Sequence, residues 1–294
     1  MAATALSSRF VASRPMSLSV LTIVKNRGNH FAQLVEGLRR SIVTPDELIV
    51  VDMGSAPALR APDAPFPIEL ISLNRGGLPL AAARNAAAQA AAGEHLLFLD
   101  VDCIPMRGLV GEMRDQLTRD DGLICAEALY LGPRDARDGW EEEDLKLSAK
   151  PHPVRSFPAE GIREETNAGL FWSLVFGIRR QRFIQLGGFD ESFTGYGAED
   201  TDFGFRARRA GTRLLFKGGG AGAFHQHHDV FDPPLQHLED IVRNAQLFHD
   251  RWHVWPMEGW LDAFSQMGLI AWAGDRLILR RTATTSELSN ARRS

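Results

Sequence analysis

The stretch His95-Leu96-Leu97-Phe98-Leu99-Asp100-Val101-Asp102-Cys103-Ile104-Pro105 constrains this chain more than any other. Four consecutive apolar residues, Leu96 to Leu99, have the character of a strand buried on both faces, and Pro105 closes the segment. Such strands belong to sheets covered by helices on both sides, whose ligands bind outside the strands' carboxyl ends. Asp100 and Asp102 leave the strand at that end. Strand alternation directs them to one side, where both can face one divalent cation, directly or through water. Alone, Asp-Val-Asp reads more simply as a polar turn capping the next helix, so the rest of the chain decides.

Three earlier segments repeat the pattern. Leu18 to Val24 is β-rich and turns polar at Lys25-Asn26-Arg27-Gly28, followed by Phe31, Leu34, Val35 and Leu38 at helical spacing over residues 29–40. Glu47 to Val51 ends in Asp52-Met53-Gly54-Ser55, and Ile68 to Ser72 runs into Asn74-Arg75-Gly76-Gly77. Pro79 opens an alanine-rich helix through Ala92 that Gly93 closes. This alternation predicts an α/β fold, with a Rossmann-like, mostly parallel central sheet flanked by helices. No strand precedes G-x-G-x-x-G or G-x-x-x-x-G-K, so a phosphate bound here is neutralised by a metal or by arginines.

The formal charge of −4, with no long basic run, argues against nucleic acid as a partner. Cys103 and Cys125, in no metal-binding pattern, suit a reducing compartment. No stretch is apolar for long enough to be a signal or a membrane span, which predicts a cytoplasmic protein. Residues 1–16 and 282–294 are polar and read as disordered ends. Residues 131–166, with Glu141-Glu142-Glu143-Asp144 and Pro151, Pro153 and Pro158, read as a flexible loop holding a short helix near Trp140 to Leu147. Ala168 to Ile178 reads as an apolar strand and Arg179 to Leu186 as a short helix. The aromatic, amphipathic segment Leu235 to Ile270, with Trp252, Trp255, Trp260 and Phe264, is expected to pack against the sheet. A peripheral membrane contact is the less favoured reading, because basic residues there are few.

A second acidic cluster follows Gly187-Gly188. Gly195 and Gly197 suit a tight loop, and a helix begins at Glu199. On it Glu199, Asp202, Phe203 and Arg206 share one face, and Asp202 pairs with Arg206 in the favourable acid-first order. Asp200 lies about 100° round the helix with Gly204 as its i+4 neighbour, so no partner claims it. The helix dipole accounts equally well for acids in a first turn. Further on, Phe224-His225-Gln226-His227-His228 puts histidines at a strand end. His225 directly follows the apolar run, and an aspartate-held dication accepts an imidazole. His227 and His228 fit a solvated turn, and His237, His249 and His253 fit surface or packing positions.

Together these residues resemble a GT-A fold glycosyltransferase of the broad family 2 group, with a second half similar to the galactosyltransferase-type C-terminal domain. The resemblance spans about residues 17–269. It rests on Leu18 to Arg27, Leu48 to Ser55, Ala83-Arg84-Asn85, Phe98 to Asp102, Gly187 to Phe205 and Phe224-His225-Gln226. It implies a nucleotide-sugar-binding half over 17–130, an acceptor and catalytic half over 167–232, and C-terminal helices over 233–281. It further implies Mn²⁺ or Mg²⁺ on the donor diphosphate, with Asp102 as direct ligand, Asp100 on the ribose or a metal-bound water, and His225 completing the site. Asp52 would contact the nucleotide, and Lys25 and Arg84 would be auxiliary cations. Asp200 would be the general base, Glu199 would orient an acceptor hydroxyl, and Trp172 would stack on an acceptor sugar or serve as a core residue. Met53 stands where some relatives contact uracil, which leaves UDP as the default nucleotide with GDP and dTDP sugars open. The implied activity is inverting transfer of a hexose from a nucleotide sugar to a saccharide or other hydroxyl acceptor. The alternatives are a nucleotidyltransferase on a related sheet and a catalytically idle carbohydrate-binding protein.

Overall fold

The computed structural model describes residues 16–136 and 139–293. The end expected to be disordered over residues 1–16 therefore lies outside the described residues, save its last. Eight strands form the central sheet: Leu18–Val24, Glu47–Asp52, Ile68–Ser72, His95–Leu99, Leu123–Ala126, Gly161–Glu164, Val175–Arg179 and Leu214–Gly218. Across the sheet they lie, by first residue, in the order 68, 47, 18, 95, 175, 123, 214, 161. The four N-terminal strands run parallel to one another. Val175–Arg179 is antiparallel to both its neighbours, and Gly161–Glu164 is antiparallel at the far edge. The sheet is thus parallel where the sequence repeats strand and helix, and mixed where the middle segment interrupts that repeat.

The apolar runs divide their side chains between two covered faces. Leu18, Val20, Leu48, Val50, Leu97 and Leu99 pack beneath helices Gly28–Arg39 and Leu109–Arg119. Leu21, Ile23, Ile49, Val51, Leu96 and Phe98 pack beneath Leu80–Ala90, Arg180–Gln185 and Glu199–Arg209. Period-two alternation with both faces apolar is the cause. Each such Leu or Val contributes about 1.5–3 kcal/mol when fully buried. A small sheet of Cys103–Pro105, Ala223–His225 and Ala128–Tyr130 stands beyond the end of His95–Leu99.

Four expectations need correction. Residues 131–166 hold the short helix, Glu142–Ser148, within the expected stretch, but they also contribute an edge strand to the sheet, Gly161–Glu164. Trp140 and Leu145 are buried there with Ile104, Met106 and Phe224, and the Trp140 indole N–H donates to Gln33 at 2.6 Å. Between Ala168 and Ile178 a 3₁₀ turn, Ala168–Leu170, precedes a strand that starts only at Val175, because the Asn167 side chain caps that turn. The tail 282–294 forms a helix, Thr285–Ala291, started by a capping box between Thr284 and Glu287, and Arg292–Arg293 then pairs with Val230–Phe231. Thr-x-x-Glu is the sequence signal for that start.

The C-terminal segment folds into helices Leu238–Trp252 and Glu258–Gln266 and a hairpin, Ile270–Ala273 with Arg276–Leu279. Its apolar side chains, among them Ile241, Leu261, Phe264 and Ile270, make a core of their own rather than packing on the sheet. No helix among the described residues is long and apolar enough to cross a membrane.

Candidate active site

The two acids of Asp-Val-Asp diverge. Asp100 still belongs to the sheet, its N–H donating to the Leu174 carbonyl at 2.9 Å. A turn closed by the Cys103 N–H on the Asp100 carbonyl then rotates the chain, so alternation does not carry through to Asp102. Cys103–Pro105 pairs antiparallel with Ala223–His225, placing His225 opposite Cys103 and beside Asp102. The Gln226 N–H fixes this arrangement by donating to the Asp102 carbonyl at 2.7 Å.

Around Asp102 stand His225, His228 and Arg27. The His225 Nε2 lies 3.6 Å and the His228 Nε2 3.4 Å from its carboxylate, while Arg27 donates to Oδ2 at 3.3 Å. Asp102 is 8% exposed, and its Oδ1 has no hydrogen-bond partner. Burial alone would raise the Asp102 carboxyl, but His225, His228 and Arg27 outweigh it and hold it well below the usual carboxylate range. Burial holds His225 below the ordinary imidazole value, against the pull of Asp102. Asp102, His225 and His228 can hold a metal ion, with ligand atoms all within 4.8 Å of one another. Two ligands about 2.1 Å from a common ion stand about 3–3.5 Å apart, so the observed spacing and the orphaned Oδ1 fit one. His228, expected in a solvated turn, belongs to this cluster, and Asp100 does not.

Asp100 faces Arg84 instead. The Arg84 guanidinium is buried and bridges Asp100 at 3.3 Å and Glu199 at 3.0 Å, so one side chain ties the strand end to the second acidic cluster. Burial pushes the Asp100 carboxyl up to about 7 against the pull of Arg84, with Asp102 adding to the rise. Glu199 is raised by burial and by Asp200, again against Arg84. Asp200 is half-buried, and its Oδ1 accepts the Thr201 N–H at 2.7 Å. Its charge bears on both Arg84 and Asp100, which places it at the same cleft.

The remaining predicted site residues are placed as follows. Lys25 donates to the Gly77 carbonyl at 2.5 Å, and the strand-end cation that reaches the acids is Arg27, two residues on. Asp52 accepts from the Ser55 N–H and hydroxyl at 2.9 and 2.6 Å. Met53 is buried in the core beneath the alanine-rich helix. Trp172 is half-buried, edge-on to His152 at 4.9 Å and beneath Arg155 at 5.1 Å.

The loop before Glu199 is held from behind by the Leu238–Trp252 helix. Gly195 and Gly197 take φ of +74° and +96°, and a Cβ on Gly195 would collide with the Asp240 carboxylate. Asn244 donates to the Thr194, Tyr196 and Gly197 carbonyls at 2.9–3.2 Å. Asp202, fully buried, accepts from Arg206 at 2.7 Å as expected, and also from Arg251 at 2.7 Å and the Trp252 indole at 2.9 Å. Arg251 reaches Asp190 as well, at 2.6 Å. Asp202→Ala strands these three donors and is expected to lower stability by about 3–5 kcal/mol. Chemical denaturation of wild type and variant measures this; a loss under 1 kcal/mol would show that the network holds nothing in place.

A sequence model of the family described as glycosyl transferase family 2 matches residues 19–193. The chain belongs to that family. Among solved structures, this family 2 chain is similar to GalNAc-T7 with UDP, GalNAc and Mn²⁺, at 18% identity and a TM-score of 0.52 over 74% of this chain and 45% of that one. It is similar also to S. aureus TarS, at 17% identity and a TM-score of 0.54 over 79% of this chain and 39% of that one. TarS residues 1–349 with UDP-GlcNAc give 17% identity and a TM-score of 0.53, over 72% and 59%. The chain thus spans less than half the length of the first two, and at these identities the likeness is one of fold, the expected GT-A fold. A comparison with curated proteins finds no match. The family match ends before Glu199, Asp200, His225 and His228, so their assembly into one cleft rests on the geometry above.

Proposed function

We propose that this chain is a metal-dependent, inverting glycosyltransferase that moves a hexose from a nucleotide sugar, UDP-linked by default, to a hydroxyl acceptor. One observation carries the reading: Arg84 bridges Asp100 and Glu199, drawing both acidic clusters into one cleft beside Asp102, His225 and His228. The UDP-bearing structures of similar fold support the choice of nucleotide.

In this reading Asp102, His225 and His228 hold Mn²⁺ or Mg²⁺. When bound, the ion supplies charge stabilisation to the departing nucleoside diphosphate. Arg27, already beside the Asp102 carboxylate, is placed to add a second positive group at the same end of the cleft. Asp100, held by Arg84, faces the donor ribose. Glu199 is fixed by Arg84 and orients the acceptor hydroxyl. Asp200, free of any ion pair among the described residues, takes that hydroxyl's proton as the oxygen attacks the anomeric carbon from the side opposite the leaving phosphate. A single displacement inverts the anomeric centre. Residues 17–130 bind the donor in this scheme, and 167–232 serve the acceptor.

The test is metal removal. Thermal-shift screening of UDP, GDP and dTDP sugars with Mn²⁺ is expected to single out a UDP sugar, and chelation to abolish both that shift and nucleotide release. Restoring Mn²⁺ restores both. Undiminished nucleotide release under chelation would overturn the metal-dependent reading.

A further inference from the structure

Arg155 lies apart from the acids, and none of the chemistry above uses it. In the otherwise exposed or half-exposed run from Pro151 to Glu160 it is the single buried residue, 3% exposed. Its guanidinium sits 5.0 Å from the Phe216 ring, 5.1 Å from Trp172 and 5.2 Å from Phe157. Rings hold a cation in place but accept no N–H bonds in its plane. Its Nε and Nη2 are shielded from solvent and have no hydrogen-bond partner, and the polar group it meets on the protein side is the uncharged Cys125 thiol, which balances no charge. No carboxylate among the described residues lies in ion-pair reach; Glu127, across the same crevice, is near enough only to feel the charge. A buried, unpaired charge is costly, and its natural remedy is an anion.

Nε and Nη2 occupy one edge of the guanidinium, and their two parallel N–H groups match the two oxygens of a carboxylate. The crevice is walled by Ala128, Tyr130, His152, Phe157 and Leu174 as well as Glu127. Tyr130 stacks on His225 at 4.5 Å and lies 5.2 Å from His152, so the crevice stands one ring away from the Asp102 cluster, on the Trp172 side. A carboxylate balances the single guanidinium charge, whereas Glu127 opposes the second charge of a phosphate.

We propose that the Arg155 crevice, which has no water-sized space as it stands, opens by movement of the half-buried His152 into a subsite for a carboxylate carried by the acceptor. This rests on the glycosyltransferase reading for the word acceptor, and on Arg155 itself for the carboxylate. The full chain is titrated with acetate, D-glucuronate and inorganic phosphate while the Arg155 Nε–H resonance is followed. That resonance is identified by its contacts to the Trp172 and Phe216 rings and by its loss in Arg155→Lys. The carboxylates are expected to move it saturably, phosphate not, and the response to persist with UDP and Mn²⁺ bound. Arg155→Lys is expected to weaken carboxylate binding by about tenfold while leaving UDP binding unchanged. Carboxylate binding without any UDP binding supports the subsite and tells against the donor reading alone. A resonance indifferent to both carboxylates, a better response to phosphate, or displacement by UDP overturns the proposal.

Discussion

Asp102→Ala is expected to remove Mn²⁺ binding and to lower sugar-nucleotide turnover by on the order of 1000-fold. The expectation rests on how much converges on one carboxylate: two imidazoles, one guanidinium and an oxygen with no partner of its own. Methyl replacement leaves His225 and His228 without the anion that makes their pair a site for a dication. The fold is expected to survive, because the Gln226 N–H that fixes this turn bonds to the Asp102 backbone rather than to its side chain. Calorimetric titration with Mn²⁺, alongside nucleotide release and far-ultraviolet dichroism, separates the effects. A variant that binds Mn²⁺ as tightly as wild type would remove Asp102 from the metal site.

Asp200→Asn is expected to cut turnover by about 10²–10⁴-fold while leaving donor binding intact. Of the two acids that begin the helix, Glu199 is buried and engaged by Arg84, which makes it a fixed group. Asp200 is the one with room to take a proton: only its Oδ1 is bonded, to its own helix, and no cation is paired with it among the described residues. The amide keeps shape and volume and removes the basicity. Steady-state rates with varied acceptor, together with direct UDP titration, check this. A fall in donor affinity without a fall in maximal rate would make Asp200 a binding residue instead of the base.

The acids are legible in the sequence because each follows a segment whose structure is forced. Leu96 to Leu99 has to be a buried strand, which fixes where Asp100 emerges, and Gly195 and Gly197 announce the helix that begins at Glu199. What a strand-end pattern does not carry is the rotation after Asp100, and that rotation decides which of the two acids meets His225. The choice of Arg27 over Lys25 and the recruitment of His228 depend on the small sheet formed by Cys103–Pro105 and Ala223–His225, a pairing across more than a hundred residues that no local periodicity records. Trp252 is misjudged for the same reason. Its indole serves Asp202, fifty positions away, so an amphipathic pattern that looks like sheet packing is in part a brace for the helix carrying Asp200. The tail is different: the Thr284 capping box was readable locally and outweighs the polar composition around it.

The strand Leu123–Ala126 has a consequence for how the molecule is made. Both its neighbours in the sheet, Val175–Arg179 and Leu214–Gly218, come later in the chain. During synthesis it therefore waits with both edges open until Val175–Arg179 has emerged and with one edge open until Leu214–Gly218 follows, and sheet closure belongs to the late, long-range events of folding. The span that matches the family model, residues 19–193, stops short of that closure. It lacks Leu214–Gly218 and the helix whose Phe203 packs on Phe176 and Phe189. A chain ended after residue 193 is expected to melt without a cooperative transition, whereas one sharp two-state transition in calorimetry would show that the sheet completes itself without its last partners. Cooperativity is thus shared between the early parallel strands and the later strands of one sheet.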